Sequence, residues 1–182
     1  MGTPTMQAAA LYGKQDLRVA EADIPQIDAG DILVQVQGAF VCGTDVRMYH
    51  NGYPGISETA PMILGHEGSG IVARCGSDVQ NFKEGMRVAV APNVGCGICD
   101  YCVSGNTHLC SDVKAVGIHR PGFFAEYVKI PENFVRQGNV VEIPDSMSFE
   151  EAALAEPLAC VFNAFEKSKM RPGETVLVIG AG

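Results

Sequence analysis

The sequence predicts a mainly β fold with short helices, in which a partly closed β-barrel is followed by the truncated start of an α/β domain. Short strand-like runs are separated by turns rich in glycine, proline and asparagine, as in small barrels. Near Ser148 this pattern gives way to a helical stretch and then one continuous apolar run. We therefore place the barrel at residues 1–152 and the start of the second domain at residues 153–182.

Six strand-like runs make up the predicted barrel. They occupy residues 7–10, 17–19, 31–37, 70–74, 87–91 and 123–130. Residues 31–37 alternate apolar and polar side chains, which is the pattern of a half-buried strand, so Cys42 lies just past a strand end. Thr44 is the predicted N-cap of a short helix that ends at Asn51-Gly52.

The second domain begins with a helix signal. Ser148 and Glu151 have the spacing of a capping box, in which each side chain bonds the other's backbone N–H. We expect a helix that runs to about Ala155 and restarts after Pro157 to reach Lys169.

The final residues contain part of a nucleotide-binding pattern. Residues 176–179 are uniformly apolar, as in a strand buried on both faces. Gly180-Ala181-Gly182 follows as the first half of Gly-x-Gly-x-x-Gly, so Gly180 and Gly182 are candidate contacts to a dinucleotide. The third glycine, the helix and the acidic residue about 20 residues further on are absent, so the sequence does not distinguish NAD from NADP.

Composition limits the classes of partner. The formal net charge of -8 argues against a nucleic-acid partner, because phosphate binding needs a basic face. No apolar run approaches the roughly 18 residues of a membrane span, and no secretory signal is visible at the N-terminus. We expect a cytoplasmic protein with a small-molecule ligand.

Seven cysteines are present, and four of them cluster at metal-like spacing. They have the pattern Cys96-x2-Cys99-x2-Cys102-x7-Cys110, and we call the segment that carries them, at about residues 93–112, the cysteine lobe. Four thiolates can surround one structural zinc tetrahedrally and leave no open position. An iron–sulfur cluster is the rival, although its fourth cysteine usually comes three residues later and precedes proline. Disulfides or a vacant site stay open, and Cys75 and Cys160 are expected to be reduced and unpartnered.

A second group of ligand-type side chains surrounds His66. Glu67 follows it within a run of glycines, and Cys42 lies upstream. Cysteine, histidine and a carboxylate suit a zinc that keeps one position open for water or substrate. A His-Glu pair by itself is more often part of a surface loop.

Three motifs together resemble the zinc-dependent medium-chain dehydrogenases, in the branch of sorbitol and threonine dehydrogenases. They are Cys42-Gly43-Thr44-Asp45, Gly65-His66-Glu67-Gly68 and Glu156-Pro157-Leu158. The resemblance implies a GroES-like catalytic barrel, a Rossmann domain after it, zinc and NAD(P) as cofactors, and a homodimer or homotetramer. It also implies reversible hydride transfer between NAD(P) and a secondary alcohol, a polyol or a threonine-like substrate.

The same resemblance assigns roles to individual residues. Cys42 and His66 would bind the catalytic zinc, with either Glu67 or Glu156 as the third ligand; Glu156 could instead hold the bound water. Asp45 would accept a hydrogen bond from His66 and so fix its ring. Thr44 would take the proton of the substrate alcohol. Arg47 stands where several relatives have a histidine, and a guanidinium cannot shuttle protons at neutral pH. Arg47 would instead contact a phosphate or the ribose of the cofactor.

Two other functional classes stay open from the sequence. One is a zinc-free quinone or enone reductase on the same fold, and the other is a non-catalytic, zinc-stabilised binding module. Metal content would separate the first from a zinc enzyme, and nucleotide binding would separate the second. We expect the 182 residues to be part of a protein near twice this length, and to bind zinc without turning over substrate when alone.

Overall fold

The computed structural model describes residues 3–180, in which ten strands and five α-helices alternate with turns. The strands are β1 (Thr5–Gly13), β2 (Asp16–Asp23), β3 (Ile32–Phe40), β4 (Met62–Ile63), β5 (Glu67–Cys75), β6 (Arg87–Val90), β7 (Asn93–Val94), β8 (Lys114–Ala115), β9 (Tyr127–Ile130) and β10 (Val140–Glu142). The helices are α1 (Gly43–Asn51), α2 (Asp100–Val103), α3 (Glu132–Arg136), α4 (Phe149–Ala153) and α5 (Ala155–Ser168), with a 3₁₀ turn at Thr107–Leu109.

Two antiparallel sheets form a partly closed barrel. The larger has the strand order β10-β6-β5-β3-β9, and the smaller has the order β2-β1-β4. The segment just before β9 joins them, because Phe124 accepts from the Ala9 amide at 2.7 Å and Glu126 accepts from the Val36 amide at 2.9 Å. The predicted fold class is confirmed.

Apolar side chains at alternate positions of the large sheet fill the barrel, together with residues of the adjoining segments. They include Ile32, Val34, Val72, Val88, Phe123, Val128, Ile130 and Phe134, each at most 1% exposed. A smaller cluster of Leu11, Met48 and Leu64 lies under α1 and the turn that precedes β5. Both clusters pack against the segments that carry Cys42 and His66. The core therefore supports these segments rigidly.

Several boundaries differ from the sequence prediction. Helix α1 has Cys42, not Thr44, as its N-cap, because the Asp45 side chain accepts from the Cys42 amide at 2.9 Å and starts the helix two residues earlier. Strand β5 begins at Glu67 rather than at residue 70. Only the second half of the predicted 123–130 strand forms β9, because residues 123–126 cross between the sheets.

The capping box before α4 is confirmed. The Ser148 amide donates to Glu151 Oε2 at 2.8 Å, and the Glu151 amide donates to Ser148 Oγ at 3.1 Å. The next helix, α5, begins at Ala155 rather than after Pro157. Proline is tolerated there because the first turn of a helix needs no backbone N–H from it.

Residues 176–179 do not form the predicted strand. Their side chains are exposed, with Ile179 at 90%. A strand of a parallel sheet needs neighbours at its edges and layers on both faces, and residues 3–180 place no other strand beside it. Within the same range, none of the helices combines the length and apolar character that a membrane crossing requires.

Candidate metal and catalytic sites

Strand register brings Cys42, His66 and Glu67 together. In the β3–β5 pair Phe40 lies opposite Glu67, so Cys42, two residues further on, comes back to the start of β5. One ligand atom from each of the three side chains lies within 4.8 Å of the other two. His66 and Glu67 are both buried at 5% exposure, and Cys42 is partly buried. The structure therefore assembles the predicted open-site group from segments 20 residues or more apart.

The turn before His66 has no room for a side chain. Gly65 has a φ of 90°, which favours glycine, and a Cβ there would lie 2.5 Å from the Phe124 ring. Its carbonyl oxygen accepts from the Phe123 amide at 2.9 Å. The same oxygen would be 2.2 Å from a Cβ on either Gly117 or Gly122. The loop that precedes β9 is thus pressed against the turn that orients His66.

Asp45 ties the two ligand-bearing segments to each other. Its carboxylate is 3% exposed and accepts from the Cys42 amide at 2.9 Å and from the Gly65 amide at 3.2 Å. Burial opposes its ionisation, but His66 and these two amides outweigh that effect and hold the pKa of Asp45 below its usual value. The predicted role of Asp45 as a partner of His66 is thus consistent with its position, and Asp45 also binds the backbone beside both Cys42 and His66.

His66 fits a metal ligand. Its Nδ1 lies 3.5 Å from Asp45 Oδ1 and, among the described residues, makes no hydrogen bond although it is buried. The Asp45 carboxylate raises the pKa of His66 to about 9; burial opposes the rise and Cys42 adds to it. A carboxylate beside one ring nitrogen, with the other nitrogen available to a metal, is the arrangement of zinc-bound histidines. Together with Cys42 and Glu67 it makes a donor set with room for a fourth ligand.

Glu156 lies beside this group rather than within it. It is the second residue of α5 and is partly buried. Burial raises the pKa of Glu156, and the charges of Glu67 and Asp45 add to the rise while His66 opposes it. The three-residue group contains Glu67, so the geometry favours Glu67 over Glu156 as the third protein ligand.

Cys160 is a site neighbour that the sequence reading missed. Its Sγ lies 3.9 Å from Glu156 Oε1, one helical turn away. Burial raises the pKa of the Cys160 thiol, and Glu156, Cys42 and Glu67 add to the rise. The i,i+4 spacing of Glu156 and Cys160 on a predicted helix could have indicated from the sequence that the two side chains are neighbours. Both residues also line a cavity of about 490 Å³ between α5, β6 and the cysteine lobe.

Thr44 and Arg47 lie together on α1. Arg47 Nη2 donates to Thr44 Oγ1 at 3.3 Å, and Thr44 is only partly exposed while Arg47 is exposed. The structure thus gives Arg47 a partner on its own helix. Thr44 keeps its O–H free to donate, because the contact uses only a lone pair of its oxygen.

The predicted nucleotide contacts are not assembled in this structure. Gly180 has a φ of 83°, and nothing in the described part of the chain lies within 4 Å of where its Cβ would be. Gly182 lies outside the described residues. Their role in binding a dinucleotide stays a prediction.

The four cysteines of the lobe converge. Cys96, Cys99, Cys102 and Cys110 have sulfur atoms within 4.8 Å of one another. The Cys96 and Asp112 amides both point at Cys110 Sγ at 3.4 Å, and the Cys99 amide points at Cys96 Sγ at 3.4 Å. Amide groups aimed at sulfur stabilise thiolates, and four thiolates suit a closed tetrahedral zinc site.

Protonation within the lobe is uneven. The amides of Ile98 and Cys99 lower the pKa of Cys96 to about 6, whereas burial and the neighbouring sulfurs raise the pKa of Cys102 to about 12. Four sulfurs this close cannot all be thiolates without a cation between them. The lobe is fixed to the barrel by Gln137 Nε2, which donates to Gly95 O at 3.1 Å, and by Asn139 Nδ2, which donates to Asn93 O at 2.6 Å.

Comparison with known proteins gives a consistent result. The family described as "Alcohol dehydrogenase GroES-like domain" matches residues 28–145. Sorbitol dehydrogenase of Bacillus subtilis (strain 168) is 38% identical over 179 residues, which are 97% of this chain and 49% of that protein. L-threonine 3-dehydrogenase of Chelativorans sp. (strain BNC1) is 37% identical over 93% of this chain and 48% of its own.

A solved structure supports the same relationship. The cobalt- and zinc-bound thermostable alcohol dehydrogenase of Pyrobaculum aerophilum superimposes with a TM-score of 0.82 at 28% identity. The match covers 94% of this chain and 51% of that one. The chain spans about half the length of the curated relatives it matches.

Proposed function

This chain belongs to the alcohol dehydrogenase GroES-like domain family, and on that premise we propose that it forms the zinc-binding catalytic part of an NAD(P)-dependent alcohol dehydrogenase. The substrate class is a secondary alcohol or polyol, as the names of the sorbitol and threonine dehydrogenase relatives suggest. The observation that carries the proposal is the convergence of Cys42, His66 and Glu67 within 4.8 Å, with a fourth position open.

The task that we propose for this chain is to hold a metal ion in place. Cys42, His66 and Glu67 would bind the zinc, whose chemistry when bound is to polarise the substrate oxygen as a Lewis acid. Asp45 keeps Cys42 and His66 at a constant separation through its bonds to the Cys42 and Gly65 amides. Glu156 adds negative charge at the edge of the site, where it can hold a water or a substrate hydroxyl.

Proton transfer falls to Thr44 in this proposal. Its hydroxyl lies in the first turn of the helix that Cys42 caps, so it is close to the metal-binding group. The Thr44 oxygen can take the substrate proton while its own proton is passed on, and Arg47 positions that oxygen.

Hydride transfer needs a nicotinamide held over the substrate. We assign nucleotide binding mainly to a region that corresponds to the part of the relatives that this chain does not match. Gly180, Gly182 and Arg47 are the candidate nucleotide contacts from this chain. The homo-oligomer and the cytoplasmic location that the resemblance and composition imply are part of the same proposal.

The experiment is metal analysis combined with a substrate panel. The protein that carries this chain with a nucleotide-binding half is tested for NAD(P)H formation with polyols, threonine and simple secondary alcohols. Zinc-dependent turnover that a Cys42→Ser variant loses supports the proposal. Turnover that persists without zinc identifies the enone-reductase alternative, and zinc binding without nucleotide binding identifies the binding module.

A further inference from the structure

We infer that His119 is a positioning residue for the Cys42–His66–Glu67 site and sets its metal affinity without touching any ligand. This inference rests on the proposed zinc site. His119 lies at the surface, in the loop that is pressed against Gly65. Its imidazole connects that loop to the segment that leaves α1, and therefore links the backs of both ligand-bearing segments.

The first link is the shape of the loop. His119 Nδ1 accepts from the Ala115 amide at 3.1 Å, and Ala115 is only 2% exposed. A buried N–H needs an acceptor, and in the described structure the imidazole supplies it. The Ala115 carbonyl in turn accepts from the amides of His119 at 2.9 Å and Arg120 at 3.2 Å. The imidazole thus closes a tight turn across residues 115–120.

The second link is the contact of this turn with the metal-binding group. Gly117 and Gly122 lie so close to the Gly65 carbonyl that a Cβ on either would be 2.2 Å from its oxygen. Gly65 directly precedes His66, and its amide donates to Asp45. A change in the path of the turn therefore moves the Gly65 peptide, and with it the His66 ring.

The third link runs to the helix that Cys42 caps. Since His119 Nδ1 accepts, a neutral ring carries its proton on Nε2, which lies 3.4 Å from the Tyr53 hydroxyl oxygen. Tyr53 follows α1 and packs with Ile118 against the cluster of Leu11, Met48 and Leu64. His119 therefore fixes the position of the turn that carries His66 relative to helix α1, which Cys42 caps.

The test measures metal affinity rather than turnover. The chain is titrated with Co²⁺, whose absorption separates the four-thiolate lobe from the Cys–His–Glu site. His119→Phe keeps a flat ring but removes both nitrogens, and we expect Co²⁺ affinity at the Cys–His–Glu site to fall about tenfold. The lobe site should be unchanged. Tyr53→Phe removes only the link to α1 and should give a smaller loss.

Two further variants separate positioning from general stability. His119→Asn places an oxygen where Nδ1 was, so it should recover most of the affinity that His119→Phe loses. Lys114→Ala is the matched control, because Lys114 precedes Ala115 but its side chain pairs only with exposed Asp112. This control should leave both sites unaffected.

Specific results would overturn the inference. They are unchanged affinity in His119→Phe and Tyr53→Phe, an equal loss at both metal sites, or a His119→Asn variant as weak as His119→Phe. Absence of Co²⁺ at the Cys–His–Glu site of the unmodified chain would refute both this inference and the proposed function. Affinity that ignores His119 would refute the inference alone.

Discussion

Asp45 Oδ1 lies 3.5 Å from His66 Nδ1 and also accepts the amide of Gly65, the residue before His66. The other oxygen of the same carboxylate accepts the amide of Cys42. One buried side chain on α1 therefore fixes a backbone position next to each of two candidate ligands and faces the ring of one of them. The geometry of the site therefore depends directly on Asp45.

Removing the Asp45 carboxylate should weaken metal binding. We expect Asp45→Ala to lower zinc affinity at the Cys42–His66–Glu67 site by about 10- to 100-fold, because the Cys42 and Gly65 amides lose their acceptor and the ring of His66 loses the carboxylate beside it. Asp45→Asn keeps one acceptor oxygen and should fall between Asp45→Ala and the parent. Chelator-competition titrations measure the affinity. Asp112→Asn, an exposed acid in the lobe, is the control; equal effects in both positions would contradict the assignment.

The His66–Asp45 pair should make the stability of the metal-free chain depend on pH. The pKa of His66 is raised from 6.5 to about 9 in the folded state. The stabilisation is therefore complete below pH 6.5 and disappears as the pH rises through about 9. This stabilisation is at most about 3 kcal/mol, because each unit of pKa difference between the folded and unfolded states corresponds to about 1.4 kcal/mol.

Urea unfolding of the metal-free parent and of His66→Gln at pH 6 and pH 10 tests this expectation. The parent should be the more stable of the two at pH 6, and the difference should shrink at pH 10. Other groups titrate in both proteins, so the comparison isolates His66. A difference that stays constant between the two pH values would show that the pair contributes nothing through ionisation.

The chain should bind two zinc ions, one in each ligand group. Cys99→Ser should remove the lobe zinc and lower the free energy of unfolding, because a structural zinc contributes folding energy directly. Cys42→Ser should remove the other zinc with much less effect on unfolding. Elemental analysis and thermal denaturation measure both quantities. Iron with sulfide, or one zinc in the parent, would be inconsistent with two zinc sites.

Gly95 should not tolerate a side chain. A Cβ there would be 2.5 Å from Cys102 Sγ, so Gly95→Ala must displace a candidate ligand of the lobe. We expect a loss of about 1–3 kcal/mol in stability, typical of overpacking, together with weaker zinc binding by the lobe. Gly13→Ala, where nothing described lies within 4 Å, is the control. Equal thermal midpoints for the two variants would argue against a tight lobe.

Thr44→Val should reduce turnover without removing zinc. If the Thr44 hydroxyl carries the substrate proton, its loss should slow the reaction about 100-fold, at the lower end of acid–base effects. Thr44→Ser retains the hydroxyl and should stay near the parent. The measurement uses the protein that includes a nucleotide-binding half, with zinc content determined in parallel. A normal rate and pH profile in Thr44→Val would remove this residue from proton transfer.

Much of the architecture follows from local sequence patterns. Alternation in residues 31–37 predicts β3, glycine at position 52 ends α1, and the Ser148–Glu151 pair starts α4, because each signal acts within a few residues. The cysteine spacing likewise predicts the lobe, since its four sulfurs come from one short segment. The small strands β4, β7, β8 and β10 carry too few residues for a periodic signal.

Contacts between distant segments are decided by tertiary structure alone. The sequence leaves Glu67 and Glu156 as alternative ligands, and only the register of β3 with β5 brings Glu67 into the group with Cys42. The packing of Gly117 on Gly65 and the link from His119 to Tyr53 join residues more than 50 positions apart. In residues 176–179 the apolar pattern predicts a strand that the described structure lacks. The physical reason is common to all three cases: backbone pairing and side-chain burial need a partner, and a local pattern does not specify which distant segment supplies it.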